Sequence, residues 1–193
     1  MPNLWVIPIG YALGSIPFAL LLGRWLGGID LRRTGSGNLG AANAFRTTGP
    51  LVGLCILLLD VAKGAATVLL ARRVGGGAAP AVAGVAAVVG HVYPIWLGFQ
   101  GGKGVATACG AFALLAPPAT AIASVAFLLT TLWTRYISLG SVVGTMLVGP
   151  IAYFMSAPTS VVIGALVTAA IIVPRHRDNL RRLVAGVEHR IRT

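Results

Sequence analysis

Acidic residues are almost missing from this sequence. Asp30, Asp60, Asp178 and Glu188 are its only carboxylate side chains, against fifteen lysines and arginines, a formal charge of +11 in 193 residues. So few carboxylates argue against a hard-cation site, and no cofactor or metal is expected. Cysteine is scarce too. Cys55 and Cys109 both fall inside apolar segments, where a thiol is a small core residue, and neither a disulfide nor a metal role is expected. Charge of either sign is thin, at 10% of residues compared with about 25% in soluble domains, which excludes an ordinary soluble chain. A basic n-region is lacking at the N-terminus and the first apolar stretch runs on too long, so a cleavable signal peptide is not expected. Long linkers and fixed-period repeats are lacking as well. The chain, residues 1–193, therefore reads as a single integral-membrane domain.

What is present is apolar: 56% of residues are hydrophobic and mean hydropathy is +0.87. Lipid is then the solvent, and helices must satisfy their own backbone within it. The expected fold is an all-α polytopic bundle of seven transmembrane helices, over about 3–22, 51–71, 79–97, 105–117, 119–133, 138–156 and 159–173. The fourth and fifth are short for a crossing of about 30 Å. The turn between them is expected at Pro117-Pro118, with one broken or re-entrant element as the alternative. Seven spans with the C-terminus cytoplasmic put the N-terminus outside. Arg24, Arg32, Arg33, Arg46, Lys103, Arg135 and the arginines of 175–192 then share the inner face, as the positive-inside bias requires. The basic surplus is thus assigned to membrane orientation and to anionic headgroups or substrates, not to nucleic acid. Gly10-xxx-Gly14 and Gly140-xxx-Gly144 read as close helix packing.

Polar residues gather in three segments of that inner face. Gly101-Gly102-Lys103-Gly104 lies between two apolar runs. Glycine N–H groups, a helix start and a lysine together suit an anion; the same residues would also make a tight turn with lysine in the headgroups. It is no P-loop, because Leu97 and Gly104 stand where glycine and Ser/Thr are required. Ser36-Gly37-Asn38 predicts a turn with exposed backbone donors, a helix start near Asn38 or Leu39, and Asn43 and Arg46 on one helical face. In the tail, Leu180, Leu183, Val184 and Val187 predict an amphipathic helix on the membrane, with His176 and Asn179 on its inner side. Asp60 and Lys63, mid-span and three apart, predict a mutually neutralising brace, with Lys63 orienting an acid such as Glu188 as the alternative. A donor-rich, acid-poor pocket suits phosphorylated substrates. No His-x-x-x-x-Asp is present: Trp96 follows His91 at that spacing, and Arg181 follows His176.

Taken in order, these segments resemble the bacterial membrane acyl-phosphate:glycerol-3-phosphate acyltransferases. The resemblance rests on 36–43 with Arg46, on Gly90-His91 through Gly101–Thr107, and on His176-Arg177-Asp178-Asn179 through Gly186-Val187-Glu188. Asp60-xx-Lys63-Gly64 and 134–141 fit too. Ala42 and Val187 stand where the family commonly has threonine, and Gln100 where it has lysine. The resemblance implies a multi-pass enzyme of the bacterial cytoplasmic (inner) membrane, its active site facing the cytoplasm. It would transfer a fatty acyl group from acyl phosphate to the 1-hydroxyl of glycerol 3-phosphate. Lysophosphatidic acid and phosphate result, the first step of phospholipid synthesis, with neither acyl-CoA nor acyl carrier protein as direct donor. Membrane lipids are its surroundings and a monomer is expected. Ser36, Arg46, Lys103, His176 and Asn179 are the expected catalytic residues. Phosphate binding is assigned to Ser36, Gly37, Asn38, Asn43, Arg46, His91, Gly101, Gly102, Lys103, Gly104, Thr107 and Asn179. Asp60, Lys63 and Glu188 are expected to be structural. Either His176 or a substrate phosphate would take the hydroxyl proton. The competing class is an organic-phosphate transporter, disfavoured because the spans show no paired half-repeats and the cations collect at one face, not at the midplane.

Overall fold

The computed structural model describes residues 4–191, so Asn3 and Arg192, which figured in the expected spans and charges, lie outside the described residues. Described residues form ten α-helices: α1 (Val6–Gly14), α2 (Phe18–Trp25), α3 (Ala41–Thr47), α4 (Pro50–Val74), α5 (Ala79–Val92), α6 (Val105–Leu115), α7 (Pro117–Thr134), α8 (Ile137–Phe154), α9 (Thr159–Ile172) and α10 (Arg177–Val184). Helices α1 and α2 together make one apolar run broken at Ser15–Pro17. Pro17 has no N–H to donate, and its ring disfavours continuation of the helix. At this break the Ile16 carbonyl accepts from Phe18 N at 3.1 Å and from Lys63 Nζ at 3.0 Å.

Six runs are long and apolar enough to cross a bilayer: Val6–Trp25, Pro50–Val74, Ala79–Leu97, Pro117–Thr134, Ile137–Phe154 and Thr159–Val184. The fourth expected span is different. Helix α6 has 11 residues, about 16 Å at 1.5 Å per residue, half of a hydrocarbon core. Nor is Pro117-Pro118 the turn. The chain breaks one residue earlier, at Ala116 (φ −144°, ψ 69°), and Pro117 opens α7, where a missing N–H costs nothing.

Helices α4 and α5 form the centre. α6 lies against α4 so closely that a Cβ on Gly64 would overlap the Thr107 carbonyl and one on Gly110 the Val61 carbonyl. Gly14 and Gly90 bring α1 against α5 in the same way, and Gly140 brings α8 against α7. Val88, Val92, Phe112, Ala165 and Ile172 fill the core between α5, α6 and α9. Outward faces stay apolar: Leu58, Leu128, Leu129 and Leu132 are exposed, as are Trp25 and Trp133 near the ends of α2 and α7, the pattern of a lipid-facing surface with interfacial aromatics.

The Asp60–Lys63 brace is present. Lys63 Nζ is 2.8 Å from Asp60 Oδ1, and His91 Nδ1 is 3.5 Å from the same oxygen. Lys63 therefore binds α4 to the α1–α2 break and turns away from Glu188, which the alternative reading had given it as a partner.

Candidate active site

Loop 31–40 is held from beneath by one amide. Asn43 is fully buried; its Oδ1 accepts from the Ser36 N–H at 2.9 Å, and its Nδ2 donates to Leu31 O at 3.1 Å and Thr34 O at 3.0 Å. With both ends engaged, Asn43 acts by shaping the loop, which leaves the Ser36 side chain exposed. The helix expected from Asn38 or Leu39 begins at Ala41 instead, because Gly40 is extended (φ −164°). Arg46, in the last turn of α3, is exposed at the cavity mouth.

Loop 93–104 is fastened to the end of α5. Gly101 N donates to Val92 O at 3.0 Å and Gly102 N to His91 O at 3.1 Å. These two amides brace the loop, so the expected cradle of glycine N–H groups is smaller than the sequence suggested. Gly102 sits against the His91 ring and the Leu39 carbonyl, with no room for a Cβ. Gly104 takes a left-handed conformation (φ 89°), which glycine adopts without strain, and turns the chain into α6. Lys103 projects half-buried and donates to Asn179 Oδ1. Burial pushes its pKa down to about 8, the nearby arginines Arg182, Arg46 and Arg175 act in the same direction, and Glu188 opposes them.

The tail forms one 3-10 turn (Pro174–His176), then α10. His176 is 2% exposed, and its Nδ1 lies 2.9 Å from Ile172 O. The helix stops at Val184, short of Val187, and left-handed Gly186 (φ 72°) reverses the chain. Val184 and Val187 are exposed, so the expected amphipathic stripe is cut short, and the reversal delivers Glu188 inward. Glu188 Oε1 accepts from Ser138 Oγ at 2.8 Å and Asn179 Nδ2 at 2.6 Å, and Oε2 from Arg182 Nε at 2.8 Å. Burial raises its pKa, but the hydrogen bonds from Asn179, Ser138 and Arg182 outweigh this and hold it below the ordinary glutamate value. A continuous chain of contacts thus runs Ser138–Glu188–Asn179–Lys103.

These three segments line one cavity of about 1040 Å³. Ser36, Gly37, Asn38, Asn43, Arg46, Asp60, His91, Gly101, Lys103, Gly104, His176, Asn179 and Glu188 all contribute to its wall. Gly102 and Thr107 lie outside it; Thr107, fully buried, sits at the α4–α6 contact. Along α6 to α9 the wall is mainly apolar, with Phe112, Ala123, Phe127, Val148 and Ala165, interspersed with the hydroxyls of Thr120, Ser124, Thr131, Ser141, Thr145 and Thr168. Sequence reasoning passed over that apolar half, and over Ser138, Arg175 and Arg182. In a chain this apolar, hydrophobicity does not separate a lipid-facing side chain from a cavity wall. The cavity combines cationic groups at one end with hydrocarbon-compatible walls at the other, which fits an amphiphile with an anionic head.

Residues 4–186 match the family described as glycerol-3-phosphate acyltransferase. The chain is 45% identical over 192 residues to a glycerol-3-phosphate acyltransferase of Anaeromyxobacter dehalogenans, covering 96% of each chain. It is 46% identical over 186 residues to one of Geobacter sulfurreducens, covering 95% of each. Its fold is similar to the crystal structure of PlsY (YgiH), an integral membrane glycerol 3-phosphate acyltransferase, in its glycerol 3-phosphate form. That TM-score is 0.93, with 38% identity and coverage of 98% of this chain and 96% of that one. The lysophosphatidic acid form gives a TM-score of 0.91.

Proposed function

This chain belongs to the glycerol-3-phosphate acyltransferase family, and from that premise we propose that its acyl donor is an acyl phosphate. The reaction esterifies the 1-hydroxyl of glycerol 3-phosphate and yields lysophosphatidic acid and inorganic phosphate. The observation that carries this reading is the two-ended cavity, whose polar wall holds Lys103 and Arg46 and whose apolar wall runs from Phe112 to Phe127. The donor's chain lies along α6 to α9 and its phosphate beside Lys103; the water-soluble acceptor enters past Ser36 and Arg46.

The hydroxyl oxygen attacks the acyl carbon, the bond from that carbon to the phosphate oxygen breaks, and phosphate departs with the electron pair. Charge growing on the carbonyl and leaving oxygens meets cations already held in place. Because phosphate already leaves readily, holding the two reactants in line supplies much of the rate. The hydroxyl proton goes to a phosphate oxygen, whose second pKa of about 6 suits the task. His176, buried and tied to Ile172 O, orients the tail turn that carries Asn179. Ser36 and Asn179 are positioning donors, and Glu188 fixes Asn179.

The protein sits in the bacterial cytoplasmic membrane with its N-terminus outside. Its seventh helix is the half-length α6, and the polar mouth, lined by Arg32 and Arg46, faces the cytoplasm.

The test is turnover by purified protein given palmitoyl phosphate and glycerol 3-phosphate. Lysophosphatidate and phosphate should appear in equal amounts and require both substrates; equal use of palmitoyl-CoA would overturn the donor assignment. A pH dependence follows from Lys103. It is charged below about 8 and neutral above, so glycerol 3-phosphate binding weakens as pH rises past that value, approaching about tenfold per unit. Titration calorimetry across pH 7 to 10 should show this slope in the wild type and a flat line in Lys103→Met.

A further inference from the structure

We propose that Arg175 is a third phosphate-binding cation, one that reads the second negative charge of the donor's phosphate group. This rests on the acyl-phosphate reading above. Six basic side chains other than histidine line the cavity: Arg32, Arg46, Lys103, Arg175, Arg177 and Arg182. Three have a carboxylate partner, though Asp30 is shared with Arg24 and Asp178 with Arg181. Arg32 lies 2.6 Å from Asp30 and Arg182 2.8 Å from Glu188, while Arg177 lies 3.5 Å from Asp178 and points outward.

Among the described residues, Arg46, Lys103 and Arg175 remain without a direct carboxylate partner. Two phosphate-bearing substrates bring up to about four negative charges, which two cations leave half-balanced. Arg175 is held ready. Its guanidinium carbon stands 5.7 Å from the Tyr93 ring centre, and a terminal nitrogen donates to Gly101 O at 3.3 Å. Tyr93 is itself fixed, since its carbonyl accepts from Tyr11 Oη at 2.7 Å. The Arg175 Nε is buried and has no hydrogen-bond partner among the described residues. A buried guanidinium N–H left unmatched is costly, and its retention beside a cavity points to a ligand oxygen.

Lys103 is within electrostatic reach of both Arg46 and Arg175, so it serves two anion positions. The side of Arg46 and Ser36 opens at the mouth. The side of Arg175 continues from α9, whose Ala165 and Thr168 line the cavity farther in. The donor, whose chain occupies that inner part, therefore places its phosphate against Arg175 and Lys103. A guanidinium fork can take two phosphate oxygens at once, and so senses whether both carry charge.

The test compares decanoyl phosphate with methyl decanoyl phosphate, a donor with one negative charge fewer. Wild type should prefer the unmethylated donor at least tenfold in kcat/KM. Arg175→Gln should reduce that preference to within threefold of unity, with KM for glycerol 3-phosphate changed less than threefold. A residue that only braced the Gly101 loop would slow both donors alike, and a preference that survives in Arg175→Gln overturns the proposal. Should that variant not fold, Arg175→Lys carries the test: lysine keeps one charge but lacks the fork, so the preference should fall at least threefold, and a preference equal to the wild type's is equally fatal. Wild-type protein that transfers from neither donor would bring down the acyl-phosphate reading and this inference with it, an outcome distinct from an active enzyme with an unmoved preference.

Discussion

Replacing Lys103 by alanine should lower kcat/KM for acyl transfer by about a thousandfold, roughly 4 kcal/mol of transition-state stabilisation. The expectation is large because the lysine is held, not free. It projects from a loop whose glycine amides are bonded to the end of α5 and donates to Asn179, whose amide is in turn bonded to Glu188. Little rearrangement is then needed when phosphate charge develops beside it. The protein itself should fold as before. Removing a cation whose pKa is depressed by burial relieves a desolvation cost, and Glu188 retains Ser138 and Arg182 as partners. Steady-state turnover with a parallel unfolding scan checks both halves, and a loss smaller than tenfold would remove Lys103 from the reaction's core.

Asp60→Ala should be the most damaging single change to stability, at about 3–5 kcal/mol, because it strands the partner charge inside the bundle. Lys63 is 5% exposed and Asp60 2%, and lipid offers no water to replace the lost carboxylate. Adding Lys63→Met to Asp60→Ala should recover most of the loss, since no charge then remains unpaired. Denaturant titration in detergent micelles measures all three proteins. If the double variant is no better than the single one, the pair is not acting as a mutual neutraliser. The recovered double variant still lacks the lysine bond to Ile16 O, so its α1–α2 break should be looser than in the wild type.

The membrane helices were legible in the sequence because apolar length is a strong signal. Six of the seven predicted crossings correspond to long apolar runs in the structure. The exception, α6, spans Val105–Leu115, close to the short segment expected, and the break at Ala116 lies one residue before the proline pair that signalled it. Lys103, Asn179 and Arg46 could be singled out because charged and amide side chains stand out against so apolar a chain. Their partners could not. The engagement of both ends of Asn43 depends on loop 31–40 closing over it, and the loss of two glycine amides to α5 depends on where that helix stops. Glu188 was expected to be structural, but its partners Ser138, Asn179 and Arg182 depend on the reversal at Gly186.

That reversal at Gly186 also sets an order of events during synthesis. Glu188 follows every membrane helix in the chain, so a ribosome has released all the hydrophobic segments before the residue that anchors Asn179 emerges. A nascent protein inserted only through α9 would already have its lipid-facing shape yet no finished ion network around Lys103. The contacts around Lys103 and Asn179 are thereby closed only once the segment after α9 has been made.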